Sequence, residues 1–484
     1  MATSGYLENA EEILSAIASA IDRNQRNSNL LSDIIDTACK PVSPHLPAQQ
    51  KVLLAIADLL PQHLDERVAL TAHLDNRVRL FVCSSHPSCD NPGLATYVSG
   101  LWTTLNEFVQ HRKSSRRHFT TKKRALEAAG DSKTKVVGDR DDERGSELLR
   151  EERALQDKFA DHVYGRCEGR VRHEIIRRRE QFKEFLSFLD LKMTGMGPER
   201  SATIKRMSSN LNRYLEAIAN GTPVIEEGTG KTLTLYYIVA FLDRIRRKED
   251  FKKLMIPLSI DFRNETSFDL SFYLHKIVRI NESIKLACIE APRTGFSELL
   301  QLEFTITLCP PVYQTPISLP GTPQEWKNFL RKFEKPFGMR FVDMDNIVDM
   351  LLRTYTPAQS DSRPIRYHTE IELLTYLYQT KVLENIAANA PAKKDPNSDE
   401  DLFIATSHQP CLACSHYIEH LGGKKHGMPS LGSRSDGYRY AFPWQAPGGG
   451  LENTYRVKRA FSDEMTRNIC FRLKKYGVLV KADK

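Results

Sequence analysis

Apolar residues recur at intervals of three and four along much of the first two-thirds of the chain. The stretches LENAEEILSAIASAI (7–21) and QQKVLLAIADLLPQHL (49–64) show this period, which predicts helices. A third stretch, ATIKRMSSNLNRYLEAIANG (202–221), ends in Gly221, a residue type that favours helix termination. We therefore expect residues 1–125 and 151–320 to be mainly helical.

Between these two regions the chain becomes polar and dense in charge. Residues 128–147 read AAGDSKTKVVGDRDDERGSE, a composition typical of a linker or a disordered loop. We expect a charged linker at 126–150. Just before it, HRKSSRRHFTTKKR (111–124) holds seven Lys and Arg and no acidic residue. That run is either a nuclear-import signal or nucleic-acid patch, or simply the exposed end of a helix.

The pattern changes toward the C-terminus, where helical stretches alternate with short strand-like runs. LEFTITL (302–308), LFIATSH (402–408) and VLVK (478–481) are rich in β-branched and apolar residues, and each predicts a strand. TPQEWKNFLRKF (322–333) has the spacing of a helix. The sequence thus predicts an α/β domain at 321–484, after a mainly α-helical N-terminal region.

Composition places the chain among folded proteins that do not span a membrane. Of the 484 residues, 40% are hydrophobic and 27% charged. The longest apolar run, LYYIVAFL (235–242), is far shorter than the roughly 20 residues that a membrane span needs. The N-terminal stretch is polar and acidic, unlike a secretory signal. We therefore expect an intracellular protein, cytoplasmic or nuclear, whose nine cysteines are reduced.

The positive charge of the chain is concentrated near its C-terminus. Residues 424–484 hold 13 Lys and Arg against 5 Asp and Glu, whereas the rest of the chain holds 56 of each. This excess of +8 is either a surface that attracts a polyanion or a solvated, lysine-rich tail.

Two cysteines in SHQPCLACSHYIEHL (407–421) are the first candidate for chemistry. Cys411 and Cys414 follow a predicted strand and Pro410, which suits the first turn of a helix. Both thiols then lie on one face of that turn, where the partial positive charge of the helix favours thiolates. The pair is consistent with a disulfide, a redox pair, a structural zinc site or half of a catalytic zinc site.

A second candidate lies upstream, in RPIRYHTEIELLTYLYQ (363–379). His368 and Glu370 stand two apart before a helix-like run, so that His368 is a candidate third zinc ligand. Glu370 is a candidate proton-transfer group that stays off the metal. Cys411 follows His368 by 43 residues, a gap that a surface insertion, ANAPAKKDPNSDED, explains.

The order His-x-Glu and then Pro-Cys-x-x-Cys resembles the signature of zinc-dependent nucleobase deaminases, the cytidine-deaminase-like superfamily. The chain looks like fungal deaminase-like proteins that are related to bacterial toxin-type deaminases. The resemblance is sharp only between residues 367 and 421. It implies a mixed sheet with the zinc site on two helix N-termini, zinc held by His368, Cys411 and Cys414, and Glu370 as the proton shuttle. The β-hairpin that precedes the histidine in this family has no clear counterpart here.

The resemblance implies deamination of a nucleobase, cytosine in preference to adenine, in nucleic acid. His408 and Trp444 are candidate substrate contacts, with core packing as the alternative for Trp444. His416 and His420 are better explained as polar residues on a helix face. The helical N-terminal region is a candidate surface for protein partners. Two alternatives stay open: an inactive, zinc-containing domain in a binding or scaffold protein, and a deaminase of free nucleosides or nucleotides.

Two further motifs are weaker. EEGTGKTLT (226–234) resembles the end of a phosphate-binding loop, but Ile225 replaces the first glycine and two glutamates would repel phosphate. A glycine-rich loop that opens a helix explains it better. In CSSHPSC (83–89), Cys83, His86 and Cys89 lack an obvious fourth ligand, and ordinary thiols are the simpler interpretation.

Overall fold

The computed structural model of the chain describes a defined set of residues. These are 46–74, 77–86, 92–128, 139–225, 230, 232–266, 268–293, 295–314, 320–337, 339–354, 365–382, 402–408, 414–415, 417–418, 430–433 and 479–481. They are mostly helical, with a small mixed sheet. The chain divides into two compact units, Pro41–Leu308 and one that contains Cys309–Lys484. Within the described residues, no helix is long and apolar enough to cross a membrane.

Helices dominate the unit Pro41–Leu308. In chain order they are α1 Ala48–Leu59, α2 Pro92–Ala128, α3 Asp139–Arg177, α4 Arg179–Met193, α5 Pro198–Asn220, α6 Leu235–Arg247, a π-helix Phe251–Met255, α7 Ile256–Glu265, α8 Leu270–Glu290 and α9 Phe296–Leu299. The predicted mainly helical N-terminal region is confirmed for the residues that the structure describes. The predicted helix at 7–21 lies outside them.

Local sequence explains where these helices begin and end. In α5, Pro198 occupies the first turn, and Gly221 ends the helix in the left-handed conformation at φ 66°. The predicted stop at Gly221 is therefore confirmed. At the start of α8, the Asp269 side chain accepts a hydrogen bond from the backbone N–H of Phe272 at 2.8 Å.

Three strands lie in the same unit: β1 Val68–Leu74, β2 Val78–Ser84 and β5 Phe304–Leu308. β1 and β2 form an antiparallel hairpin, and β2 pairs with β5 in parallel. The predicted strand at 302–308 is confirmed, but the expectation that residues 1–125 are helical is wrong at the hairpin. Most side chains along β1 and β2 are buried. Runs of this kind are typical of buried strands, and the helical interpretation did not take them into account.

The predicted charged linker at 126–150 also needs correction, because α3 already begins at Asp139. Within the two helices, side chains of the basic run on α2 lie close to carboxylates on α3. His111 lies 3.6 Å from Glu151, and the guanidinium of Arg112 lies 3.3 Å from the carboxylate of Glu152. Part of the basic run at 111–124 thus pairs with the chain's own acidic residues rather than with a ligand.

The glycine-rich stretch at 226–234 lies between two very short strands. β3 Val224–Ile225 pairs antiparallel with β4 Thr232–Leu233, and α6 begins only at Leu235. A phosphate-binding loop instead joins a strand directly to the helix whose N-terminus binds the phosphate. The strand Thr232–Leu233 separates the glycines from α6, which does not support a phosphate-binding loop.

Helices and short strands alternate in the unit that contains Cys309–Lys484. The elements are β6 Tyr313–Gln314, α10 Pro323–Phe337, β7 Met339–Phe341, α11 Met344–Thr354, β8 Ile365–Arg366, α12 Thr369–Gln379, β9 Phe403–Thr406, β10 Ser430–Ser433 and β11 Leu479–Lys481. β9 and β10 are parallel, whereas β6 pairs with β8, and β7 with β11, in antiparallel fashion. The predicted strands at 402–408 and 478–481 are confirmed.

The boundary between the two units falls earlier than the predicted start of the α/β domain at residue 321. β6 pairs with β8, which directly precedes α12, and this pairing includes Tyr313 in the C-terminal unit. The sequence around Tyr313 has no strong strand pattern, so the pairing was not predictable from it.

Candidate metal centre

His368 stands at the position that precedes the first turn of α12. Its backbone is extended, at φ −67° and ψ 147°, and its carbonyl accepts the N–H groups of Ile371 and Glu372, both at 2.9 Å. The helix follows because apolar residues recur at Ile371, Leu374 and Leu377, all of them buried. The end of β8 and the start of α12 therefore hold the His368 imidazole next to the first turn of the helix.

Cys414 belongs to the segment that follows β9. All four residues of β9 are buried, and Cys414, Ser415, Tyr417 and Ile418 are helical and buried as well. The Sγ of Cys414 lies 3.2 Å from the Nδ1 of His368. A strand followed by a helix thus brings one of the predicted thiol ligands to the predicted histidine ligand.

Glu370 completes a group of three potential ligands. One ligand atom from each of His368, Glu370 and Cys414 lies within 4.8 Å of the others. The carboxylate oxygen Oε1 of Glu370 lies 4.0 Å from His368 Nδ1. Among the described residues, this is the group of His, Cys, Asp and Glu side chains that could hold a metal ion.

The carboxylate of Glu370 is fully buried. Its Oε2 lies 3.6 Å from the Nε2 of His408, and its Oε1 has no hydrogen-bond partner among the described residues. Burial alone would raise the pKa of Glu370, but the interaction with His408 and the charge of His368 outweigh burial and hold that pKa below its usual range. Oε1 is thus the carboxylate oxygen that the described residues leave without a hydrogen-bond partner.

A second buried glutamate on α12 braces the site. Glu372 accepts hydrogen bonds from the Arg366 guanidinium, at 2.5 and 2.9 Å, and from the backbone N–H of Val312 at 3.0 Å. Burial raises the pKa of Glu372, although Arg366 and the Val312 N–H act in the opposite direction. The glutamate ties α12 to β8 and to the segment before β6, and so fixes the helix end that carries His368.

The contact of Glu372 with Arg366 and Val312 was not predicted from the sequence. The sequence feature that could have indicated it is the second glutamate in His-Thr-Glu-Ile-Glu, two residues after the predicted proton shuttle. A glutamate among apolar helix positions is rarely buried without a partner, and the arginine two residues before the histidine is the nearest cation in the sequence.

Several predicted site residues lie outside the described part of the chain. These are Cys411, Trp444, His416, His420 and Cys89. His408, by contrast, is described and lies beside Glu370. Of the weaker motif at 83–89, Cys83 is buried in β2 and the His86 ring stacks on that of His63 at 4.7 Å.

Comparison with known proteins adds nothing to this geometry: no protein-family model, no curated protein and no solved structure matches the chain.

Proposed function

We propose that the unit containing Cys309–Lys484 is a zinc-dependent deaminase that acts on a nucleobase in nucleic acid, cytosine in preference to adenine. The observation that carries this proposal is the group formed by His368, Glu370 and Cys414. The start of α12 supplies an imidazole and a buried carboxylate, and the helical residue Cys414 supplies a thiol; these are parts that the His-x-Glu and Pro-Cys-x-x-Cys motifs require.

The donor atoms fit zinc. Nitrogen and thiolate sulfur are typical zinc ligands, and two such donors around one tetrahedral ion lie about 3.5 Å apart. The 3.2 Å between His368 Nδ1 and Cys414 Sγ is close to this spacing. With Cys411 as the third ligand, a His-Cys-Cys set would leave a fourth position for water, and Glu370 would stay off the metal.

Zinc, when bound, would supply the Lewis acidity that makes a water molecule nucleophilic near neutral pH. Glu370 would accept a proton from that water at Oε1, the oxygen without a hydrogen-bond partner among the described residues. It would then deliver protons to the ring nitrogen and to the departing amine. Water and the aminated base would thereby yield a carbonyl and ammonia.

The experiment compares the zinc-loaded wild type with Glu370→Gln on a panel of substrates. Single-stranded DNA and RNA oligonucleotides with one cytosine or one adenine, and free cytidine and adenosine, are incubated and analysed by mass spectrometry for the deaminated base. We expect the variant to keep its zinc and to lose activity by a factor of about 10² to 10⁴. Glu325→Gln, an exposed glutamate in the same unit, is the matched control.

Three results would contradict the proposal or narrow it. Full activity of Glu370→Gln would remove the proton-transfer role. Turnover of free cytidine but of no oligonucleotide would make the enzyme a nucleoside deaminase. A zinc-loaded wild type that deaminates nothing in the panel would contradict the enzymatic proposal itself.

A structural zinc site in a binding or scaffold protein is the second candidate function. The observation that favours it is burial, because both Glu370 and Cys414 are 0% exposed, whereas a catalytic zinc needs an open position. Glu370 favours catalysis, since a purely structural site has no use for a carboxylate with an uncommitted oxygen.

A further inference from the structure

The buried Glu370 carboxylate has protein groups close to it that could fix its orientation. A carboxylate that is fully removed from water needs a nearby positive charge or hydrogen-bond donor, because its desolvation is expensive. Among the described residues, Oε2 accepts a 3.4 Å hydrogen bond from the Thr369 hydroxyl, and the imidazoles of His368 and His408 lie within 4.0 Å of the carboxylate.

His368 is poorly placed for this role. Its Nδ1 lies 4.0 Å from Glu370 Oε1 but only 3.2 Å from the Sγ of Cys414. That nitrogen is thus directed at the proposed metal rather than at the carboxylate. His408, with its Nε2 3.6 Å from Glu370 Oε2, is the closer of the two imidazoles.

The backbone fixes where His408 lies. Thr406, the last residue of β9, is fully buried, and its Oγ1 donates a 2.7 Å hydrogen bond to the backbone carbonyl of His408. This bond closes the turn that leads out of the strand. The His408 side chain is itself mostly buried, at 18% exposure. The Thr406 hydrogen bond therefore fixes the His408 backbone two residues after the end of β9, and the imidazole lies beside the carboxylate.

We infer that His408 is a positioning residue that holds Oε2 of Glu370 and thereby directs Oε1 toward the reacting water and base. This inference rests on the proposed function. It divides the work between the two carboxylate oxygens: Oε2 is committed to the protein, and Oε1 carries the proton. It also differs from the sequence-based interpretation of His408 as a substrate contact.

Two substitutions at His408 test the inference in the full-length, zinc-loaded protein. His408→Ala removes the interaction, whereas His408→Gln places an amide N–H near the same position. We expect zinc content and KM to be unchanged in both, and kcat to fall about 10- to 100-fold in His408→Ala with partial recovery in His408→Gln. His63→Ala, which removes a ring that stacks on His86 in the other unit, is the control and should leave kcat unchanged.

Each other outcome has a separate meaning. Full kcat in zinc-loaded His408→Ala would overturn the positioning role and leave the proposed function standing. A raised KM with unchanged kcat would make His408 a substrate contact, and loss of zinc would give it a role at the metal; either result overturns the inference. A wild type that binds zinc but deaminates no substrate would overturn both the inference and the enzymatic proposal. Circular dichroism of each variant separates these results from unfolding, and His408→Gln supplies the test if His408→Ala does not fold.

Discussion

Two buried carboxylates, one in each unit of the chain, differ in how fully the protein pairs them. In Pro41–Leu308, Asp58 is 1% exposed and accepts hydrogen bonds from the Arg279 guanidinium and, at 2.9 Å, from the Ser283 hydroxyl. In the unit containing Cys309–Lys484, Glu370 is 0% exposed, but one of its oxygens has no hydrogen-bond partner among the described residues. The first arrangement joins α1 to α8, whereas the second leaves an oxygen unpaired among the described residues, at some expense in stability.

A second buried acid in Pro41–Leu308, Asp243, is paired with protein groups in the same way as Asp58. Asp243 is fully buried on α6 and accepts hydrogen bonds from Arg247 at 2.9 Å, Lys285 at 2.7 Å and Asn281 at 3.3 Å. Both of its oxygens have protein partners. Asp58 and Asp243 thus have their hydrogen-bonding capacity met by the fold, whereas Glu370 combines an oxygen that the described residues leave unpaired with a position beside His368 and Cys414.

The largest effect on stability should come from Asp58→Asn. The substitution leaves the Arg279 guanidinium without its counter-charge, and we expect the free energy of unfolding to fall by about 3 kcal/mol. Urea unfolding of the full-length chain, followed by circular dichroism, measures it. Glu370→Gln is the matched comparison and should change stability by less than about 1 kcal/mol. Equal destabilisation by the two substitutions would place Glu370 in the same structural class as Asp58.

The next effect is a loss of zinc affinity on substitution of Glu372. This residue is fully paired, as Asp58 is, but it lies two residues from Glu370. Glu372→Gln weakens the contacts to Arg366 and Val312, so that the start of α12 and His368 are held less firmly. We expect zinc affinity to fall about 10-fold or more, because residues that orient metal ligands have effects of this size. Competition with a zinc chelator measures the affinity. An affinity equal to that of Glu325→Gln would show that the brace does not support the metal centre.

A smaller, pH-dependent effect is expected at Asp243. Burial raises the pKa of Asp243, but hydrogen bonds and charges from Lys285 and Arg247 outweigh burial and hold it below its usual value. A folded-state pKa below the unfolded value of about 3.9 stabilises the fold above that pH, and the stabilisation is lost as pH falls further. The difference in unfolding free energy between wild type and Asp243→Asn should therefore be largest near pH 7 and shrink below about pH 4. A difference that is independent of pH would show that the Asp243 charge does not contribute.

Local sequence patterns predicted the helices and strands around the site, but they did not predict contacts between residues that are distant in the sequence. The strand before Cys414, the helix after His368 and the Gly221 stop follow from apolar spacing and residue type within a few positions. The partner of Asp58 is Arg279, 221 residues away, and no local pattern identifies such a pair. Likewise, the contact between Glu372 and Val312 depends on the short pairing of β6 with β8.

The hairpin formed by β1 and β2 shows a different limit. Its sequence, VALTAHLDNRVRLFVCS, contains β-branched residues on both sides of the polar Asp-Asn pair, and so a strand signal was present. The neighbouring 49–64 stretch has strong helical spacing, and the helical prediction was extended from it to the whole region. At the candidate metal centre, the His-x-Glu motif alone related Glu370 to His368. The structure adds that Cys414 and His408 lie beside them.

The most direct test of the central claim is the metal content of the purified full-length protein, prepared without chelators and measured by mass spectrometry. Wild type is compared with Cys414→Ser and with Cys309→Ser, a substitution of another buried cysteine in the same unit. The account predicts about one zinc per chain in wild type and Cys309→Ser, and its loss in Cys414→Ser. A folded wild type without zinc, or a Cys414→Ser variant that keeps it, would contradict the metal centre and the function proposed for it.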